Sequence, residues 1–316
     1  MPSLKSRLVI FGIQHSHLFK GRLKRDVVTP DTSTIQLRKQ FEEGAKKFGS
    51  IPPGIVVSPV QIPGLPEGLF AEWIHPANSP GTPTPVDKAI FYTHGGGYVT
   101  GNCVDHRMHV AKFVEAAGIS ALLYDYRLAP EHPFPAAMQD TLTAYRWLLD
   151  QNVLPENIII VGESAGGGLC LASLLAIRDE NLPLPAAGVA LSPWTDLKCT
   201  GDSYRTNANR DISTLGSWDV WGSYYVGSND PGLPWISPLY GDLHGLPAIL
   251  IEVGDREILL DDARRFTEKA RSAGVDITLH VWEGMVHCFP LLAPMFPEAT
   301  QAWEEIIAYT KKRVNP

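Results

Sequence analysis

Asn157-Ile158-Ile159-Ile160-Val161 runs directly into Gly162-Glu163-Ser164-Ala165-Gly166, and a small-residue, helix-forming run follows. An apolar, β-branched stretch leading into Gly-x-Ser-x-Gly reads as a buried strand, a tight turn and a helix. Such a turn holds its serine in a strained backbone conformation, and the flanking glycines leave room around it. The Oγ of Ser164 then stands exposed above a sheet instead of packing into it. The pattern is weak alone, because glycine and serine are common, but its structural context is present here. That context points to a nucleophilic serine.

A serine of this kind needs donors for the oxyanion it creates, a base and an acid. Ala89-Ile90-Phe91-Tyr92-Thr93 reads as a strand and enters His94-Gly95-Gly96-Gly97-Tyr98. Consecutive glycines let a backbone approach a ligand closely and turn its N–H groups toward it. The loop carries neither the Gly-Lys-Ser/Thr ending of a nucleotide-binding P-loop nor a G-x-G-x-x-G fingerprint. The expected donors are the N–H groups of Gly96, Gly97 and Ala165. For the acid, the chain order Ser, then Asp or Glu, then His directs attention to Ala248-Ile249-Leu250-Ile251-Glu252-Val253, which ends in Gly254-Asp255. Asp255, on the turn leaving that strand, is the expected acid. Glu257 is a close rival, while Asp261 and Asp262 look like the first turn of a helix, where carboxylates favour the dipole. For the base, His244 precedes the acid and His280 lies inside the strand Asp276–Trp282, in a solvent-facing role. His287 follows that strand in the loop Gly284-Met285-Val286-His287-Cys288-Phe289, from which a side chain can reach the serine.

With these motifs in place, the chain resembles the hormone-sensitive-lipase-like family of α/β-hydrolases, which includes microbial carboxylesterases and arylacetamide-deacetylase-like enzymes. The resemblance covers roughly residues 85–313. It rests on His94 to Gly97, Asp125 to Ala137, Gly162 to Gly167, Ser192-Pro193-Trp194-Thr195-Asp196-Leu197 and Gly284 to His287, in the family's order. Glu163 stands where the family usually has Asp. The segment Asp255-Arg256-Glu257-Ile258-Leu259 departs from the usual Asp-Pro-Leu, which makes it the loosest part of the match. The resemblance implies an ester hydrolase. Amide deacylation uses the same elbow and hole, and is the alternative. Gibberellin receptors share the fold without the histidine, and the presence of His287 opposes that reading.

The proline-rich tract from Asp125 to Ala137 reads as scaffolding, since proline excludes helix, with Arg127 and Glu131 as an internal ion pair. His106 and His109 fall three apart on a helix beginning near Val104. No third ligand cluster accompanies them, so they read as a solvated face; no metal and no cofactor is expected. With 316 residues, 44% hydrophobic and 19% charged, the chain is long enough for one large α/β domain with a lid. A formal charge of −7 argues against a nucleic-acid partner. Cys103, Cys170, Cys199 and Cys288 have no paired-ligand spacing and suit reduced thiols and a cytoplasmic setting; Cys288 adjoins the expected base.

Leu8 to Ile13 is apolar and flanked by Lys5, Arg7, Lys20, Arg22, Lys24 and Arg25. It is short for a signal peptide, and His15 and His17 interrupt it as a membrane span. An amphipathic cap helix is expected, with a second over Thr34 to Phe48 that sets Ile35, Leu37, Phe41, Ala45 and Phe48 on one face. Residues 1–50 are thus expected as cap and 51–316 as the catalytic domain. Strands are expected near 55–61, 69–75, 88–93, 119–125, 157–162, 186–192, 248–253 and 276–282. Helices are expected near 104–117, 135–151, 165–179, 258–272 and 297–313, so the sheet should be mostly parallel and covered on both faces. The insertion at about 200–246 is dense in aromatics (Tyr204, Trp218, Trp221, Tyr224, Tyr225, Trp235) and reads as a lid. Tyr98, Trp218 and Tyr225 are the expected substrate contacts. The family resemblance implies a possible homodimer through the last strand.

Overall fold

The computed structural model describes residues 1–19, 21, 25–48, 50–77 and 87–314. Lys20, Arg22, Lys24 and most of the proline-rich loop 76–87 lie outside the described residues. The strands are β1 (Ile55–Val60), β2 (Ala71–Pro76), β3 (Ala89–Thr93), β4 (Ser120–Tyr124), β5 (Ile158–Glu163), β6 (Ala187–Leu191), β7 (Ala248–Gly254) and β8 (Ile277–Trp282). They form one eight-stranded sheet in the order β1-β2-β4-β3-β5-β6-β7-β8. β1 pairs antiparallel with β2 and β2 with β4, while all later pairs are parallel. This is the α/β-hydrolase arrangement expected, with the antiparallel edge supplied by the early strands.

The apolar continuity of the central strands follows from their burial on both faces. Alternate side chains point to opposite sides, so Phe91, Ile160 and Ile251 join one core cluster while Ile90, Tyr92, Ile159 and Val161 join the other. Helices α5 (Ala136–Asp150), α6 (Ala165–Asp179) and α9 (Leu260–Ser272) cover the first face, through residues such as Leu142, Leu174 and Phe266. Helices α4 (Cys103–Ala117) and α10 (Pro297–Val314) cover the second through Val110, Phe113 and Ile306. Parallel pairing also brings the loops after β3, β5, β7 and β8 to one edge of the sheet, and these are the loops that carry the candidate site residues.

The N-terminal helices are α1 (Leu4–Gln14), α2 (Ser16–Phe19) and α3 (Thr34–Phe48). α1 buries Ile10 against Met285, Val286 and Phe289, which flank His287. The expected apolar face of α3 does not become a buried one: Ile35 is 71% exposed and Phe41 50%, and the side chain of Phe48 lies outside the described residues. Arg38 anchors the helix instead, donating from Nε to the Val99 carbonyl at 2.7 Å and from Nη2 to the Ala129 carbonyl at 2.8 Å. The insertion contributes α7 (Ser203–Thr206) and α8 (Ser217–Val226). The N-terminal segment grips it: Arg25 Nη2 donates to the carbonyls of Asp211 (3.1 Å) and Ser213 (2.6 Å), and Val28 N donates to Leu215 O at 2.8 Å.

The expected Arg127–Glu131 pair does not form. Residues four apart meet on a helix, and this tract is irregular, so each side chain finds another partner. Arg127 holds Asp140 of α5 through Nε (3.0 and 2.9 Å) and Nη2 (2.8 Å), while Glu131 pairs with Arg38 at 2.7 Å. The Asp140 side chain is only 3% exposed, so truncating its partner strands a buried charge. Arg127→Ala is therefore expected to lower unfolding stability by about 3 kcal/mol, read from urea denaturation. A loss below about 1 kcal/mol, the value typical of an exposed pair, would show that the pair does not anchor the tract.

Candidate active site

Ser164 sits between the end of β5 and the start of α6 at φ 56, ψ −123. That backbone region is costly for a residue with a Cβ, and neighbouring hydrogen bonds hold it. Ser164 N donates to Leu191 O at 2.8 Å, Trp194 N donates to Ser164 O at 3.1 Å, and Thr93 Oγ1 donates to Gly166 O at 2.8 Å. The Ser164 Oγ lies 2.9 Å from His287 Nε2. The two expected partners, 123 residues apart in the chain, are in hydrogen-bond contact.

The carboxylate on the far side of the imidazole belongs to Glu257, not Asp255. Glu257 Oε2 lies 3.2 Å from His287 Nδ1. Its Oε1 accepts from Ser192 Oγ at 2.8 Å and from Gly254 N at 2.6 Å. Asp255 instead accepts from Gly284 N at 2.6 Å and braces the loop that carries His287. The reason is the turn after β7. It sends Asp255 outward to a half-buried position and folds Glu257 back into a fully buried one, where the longer side chain reaches the ring. Asp261 and Asp262 are in the first turn of α9, as expected, and serve the insertion and the Ser192–Leu197 loop: Asp261 accepts from Ser203 N, and Asp262 from the N–H groups of Thr195 and Asp196.

Sequence reasoning missed two supports of the histidine. Asp211, fully buried in the insertion, accepts from His287 N at 3.0 Å and from Ile258 N at 3.1 Å. Ser192 Oγ donates to Glu257 while accepting from Cys288 N at 2.9 Å. Ser192 lies in a motif already singled out, but nothing local marked Asp211.

Burial favours the neutral ring of His287, and the hydrogen-bonded Glu257 carboxylate outweighs it, so its pKa lies above the usual histidine range. Burial raises the Glu257 carboxyl, and His287 pulls it part of the way back. Burial also raises the Cys288 thiol, which keeps it from competing as a thiolate.

On the opposite side, Gly96 (φ 109) and Gly97 (φ 65) turn the loop after β3. A Cβ on Gly96 would meet Thr100 O at 2.2 Å, and one on Gly97 would meet the Trp221 ring at 2.3 Å. Only glycine fits either position. The N–H of Ala165, at the first position of α6, has no partner within its helix. Trp218 stands edge-on to His287, with ring centroids 5.5 Å apart. The other two expected substrate contacts are placed elsewhere: Tyr98 and Tyr225 stack at 3.7 Å, are almost completely buried, and support the glycine loop from within the core. Trp221, expected only as one of the aromatics of the insertion, is the half-buried ring against Gly97.

Three of the other histidines bear on earlier expectations. His280 lies 2.8 Å from Glu252 and 3.1 Å from Glu305, half-buried between β7, β8 and α10. His106 and His109 are not a solvated face. His106 Nε2 lies 3.0 Å from Glu163, and burial pushes His109 down to about 4. Glu252, His280 and Glu305 are close enough to hold a cation, and His280 Nδ1 faces both carboxylates.

A family model described as alpha/beta hydrolase fold matches residues 90–291. An acetyl-hydrolase of Streptomyces hygroscopicus is 39% identical over 278 residues, covering 87% of this chain and 88% of that protein. The crystal structure of an esterase from the bacterial hormone-sensitive lipase family superposes with a TM-score of 0.85 at 40% identity, covering 100% of both chains. That of the esterase EstE5, soaked with p-nitrophenyl butyrate, gives 0.86 at 38% identity, covering 99% of this chain and 100% of that one. The chain belongs to the α/β-hydrolase family, within its hormone-sensitive-lipase branch.

Glu257→Gln should cut kcat by roughly a thousandfold or more, as loss of the orienting carboxylate does elsewhere, while Asp255→Asn should cost less than about tenfold. The carboxylate stabilises the imidazolium, so removing its charge lowers the pKa of His287. The acidic limb of kcat/KM against pH should therefore move to lower pH in Glu257→Gln, even as the plateau falls. A pH-rate series on both variants checks this, and a larger loss in Asp255→Asn would return the acid role to Asp255.

Proposed function

We propose that Ser164 attacks the carbonyl of a short- to medium-chain or aromatic carboxylic ester and carries the acyl group as a covalent intermediate. The chain is a carboxylic-ester hydrolase. The observation that carries the proposed route is the relay from Ser164 Oγ to His287 Nε2 at 2.9 Å and from His287 Nδ1 to Glu257 at 3.2 Å.

His287 takes the Ser164 proton as the new C–O bond forms, and Glu257 steadies the resulting imidazolium. The N–H groups of Gly96, Gly97 and Ala165 hold the carbonyl oxygen as it becomes an oxyanion. The C–O bond to the leaving alcohol then breaks, and His287 returns the proton to that alcohol. In the second half, His287 deprotonates water, which attacks the acyl carbon and frees the acid and Ser164.

Trp218 beside His287 and Trp221 against Gly97 wall the space in which an acyl chain would lie. Relatives described as an acetyl-hydrolase and as an esterase soaked with p-nitrophenyl butyrate support a preference toward short chains. We read residues 1–50 and about 200–246 together as a cap, on the strength of the Arg25 and Val28 hydrogen bonds to the insertion. Among the described residues no helix is long and apolar enough to cross a membrane, and the four free thiols support a cytoplasmic setting. β8 lies at the sheet edge with Val281 39% exposed, which supports pairing of two copies through it. Light scattering on the purified chain should then give the mass of a dimer, and a monomer at micromolar concentration would sink that reading.

Hydrolysis of p-nitrophenyl esters from acetate to palmitate, beside matched anilides, tests the substrate class. Turnover should peak at short acyl chains and vanish in Ser164→Ala. Preference for anilides would move the assignment to an amidase.

A further inference from the structure

Glu163 takes no part in the relay from Ser164 to Glu257, yet it joins the two halves of the site. As the last residue of β5 it precedes the serine, and it is only 4% exposed. Its Oε1 accepts from Gly95 N at 2.6 Å, at the start of the glycine loop. The same oxygen lies 3.0 Å from His106 Nε2, and His106 Nδ1 lies 2.6 Å from Asp105 Oδ1. Asp105 is itself fixed by a capping box with Asn102 at the start of α4.

This arrangement poses an electrostatic problem. The bond to Gly95 orients the loop that presents Gly96 and Gly97, but it sets a buried negative charge one residue from the glycines read as holding the oxyanion. A carboxylate there works against the very charge the loop is built to hold. His106 faces a carboxylate oxygen with each ring nitrogen, so both nitrogens act as donors and the ring is the imidazolium.

We infer that His106 is a positioning residue whose positive charge cancels that of Glu163, allowing a carboxylate to hold the glycine loop without opposing the oxyanion. The inference rests on the oxyanion-hole reading of Gly96, Gly97 and Ala165.

The surroundings fit this role. Burial works against the charge on His106, but Asp105 and Glu163 outweigh it and push the ring up to about 10. Burial tends to raise Glu163, and His106 outweighs it and holds the carboxyl below its usual range. The remaining groups facing the ring do not supply the charge. His94, stacked 4.1 Å from Tyr126 and 5.0 Å from His106, is pushed down to about 4 by burial and by His106. Burial and His106 push His109 down to about 4 as well. Tyr92 is raised, first by burial and then by Glu163, and so stays neutral. Lys112 lines the same cleft of about 600 Å³, between α3 and α4, onto which His106 opens.

The test is steady-state hydrolysis of p-nitrophenyl acetate by the full chain and by Ser164→Ala, His106→Gln, Glu163→Gln and the double variant His106→Gln/Glu163→Gln. Inhibition by a trifluoromethyl ketone, which forms an oxyanion on the serine, is measured alongside. His106→Gln should lower kcat about 100-fold, the scale of one lost oxyanion donor, with KM changed less than about threefold. Ketone affinity should fall in step with kcat/KM. Glu163→Gln should cost less than about tenfold, and the double variant should regain at least about tenfold over His106→Gln, because no carboxylate then lies against Gly95 at the start of the glycine loop. A purely structural role would instead make the two losses multiply and leave ketone affinity unlinked to rate. That outcome, or a His106→Gln kcat within about threefold of the parent, would overturn the inference. Should His106→Gln fail to fold, the double variant decides: it should fold and lie within about tenfold of Glu163→Gln, and failure on either count overturns the inference. Turnover surviving Ser164→Ala would overturn the oxyanion reading itself. Turnover abolished by Ser164→Ala but indifferent to His106→Gln would overturn this inference alone.

Discussion

The turn at Ser164 constrains everything around it. A non-glycine residue at φ 56, ψ −123 stores roughly 1–3 kcal/mol of strain. It persists because the chain on each side is committed to a central strand and a buried helix. Leu191 and Trp194 hold its backbone from the neighbouring strand and loop, and Thr93 ties the first turn of α6 to the end of β3. From that one conformation Ser164 Oγ faces His287 and Glu163 faces the glycine loop.

Two buried carboxylate–histidine pairs flank the serine, and their surroundings set different tasks. His287 touches the serine hydroxyl and, in the proposed route, gains and loses a proton in each half of the cycle. Glu257, held by Ser192 and Gly254 as well as by the ring, remains the fixed partner. His106 touches carboxylates on both sides and faces no reacting atom. In the proposed route one pair moves protons, while the other holds a static charge.

The N-terminal segment and the insertion are tied to the loop bearing His287 by hydrogen bonds as well as by packed side chains. The carbonyl of Asp211 accepts from Arg25, while its carboxylate accepts from His287 N and Ile258 N. Displacing the insertion would therefore disturb the loop that aims the base. α1 adds a second brace through Ile10 against Val286 and Phe289. An aromatic-rich insertion thus does two jobs: Trp218 and Trp221 face the site, while Tyr225 stacks under the glycine loop.

The strands, the main helices, Ser164, His287 and the glycine loop were legible in the sequence because each is written locally. Apolar runs mark strands, glycines mark positions that exclude a Cβ, and a parallel sheet gathers the loops bearing the serine and the histidine at one edge. Which carboxylate meets His287 was not legible, although Glu257 stood beside Asp255 as a rival. Asp255 and Glu257 are two residues apart on one turn, and which of them faces inward depends on how that turn packs against Ser192 and Gly254. The same holds for Arg127, whose partner is Asp140, and for His106, whose charge depends on Glu163 from a different strand. Tyr98 and Tyr225 looked like substrate contacts from their neighbourhood in the chain, and packing made them core. Local sequence determined where the backbone turns and what is apolar. Only the tertiary structure decided which polar group meets which, because such pairing depends on distances between segments that the chain order does not contain.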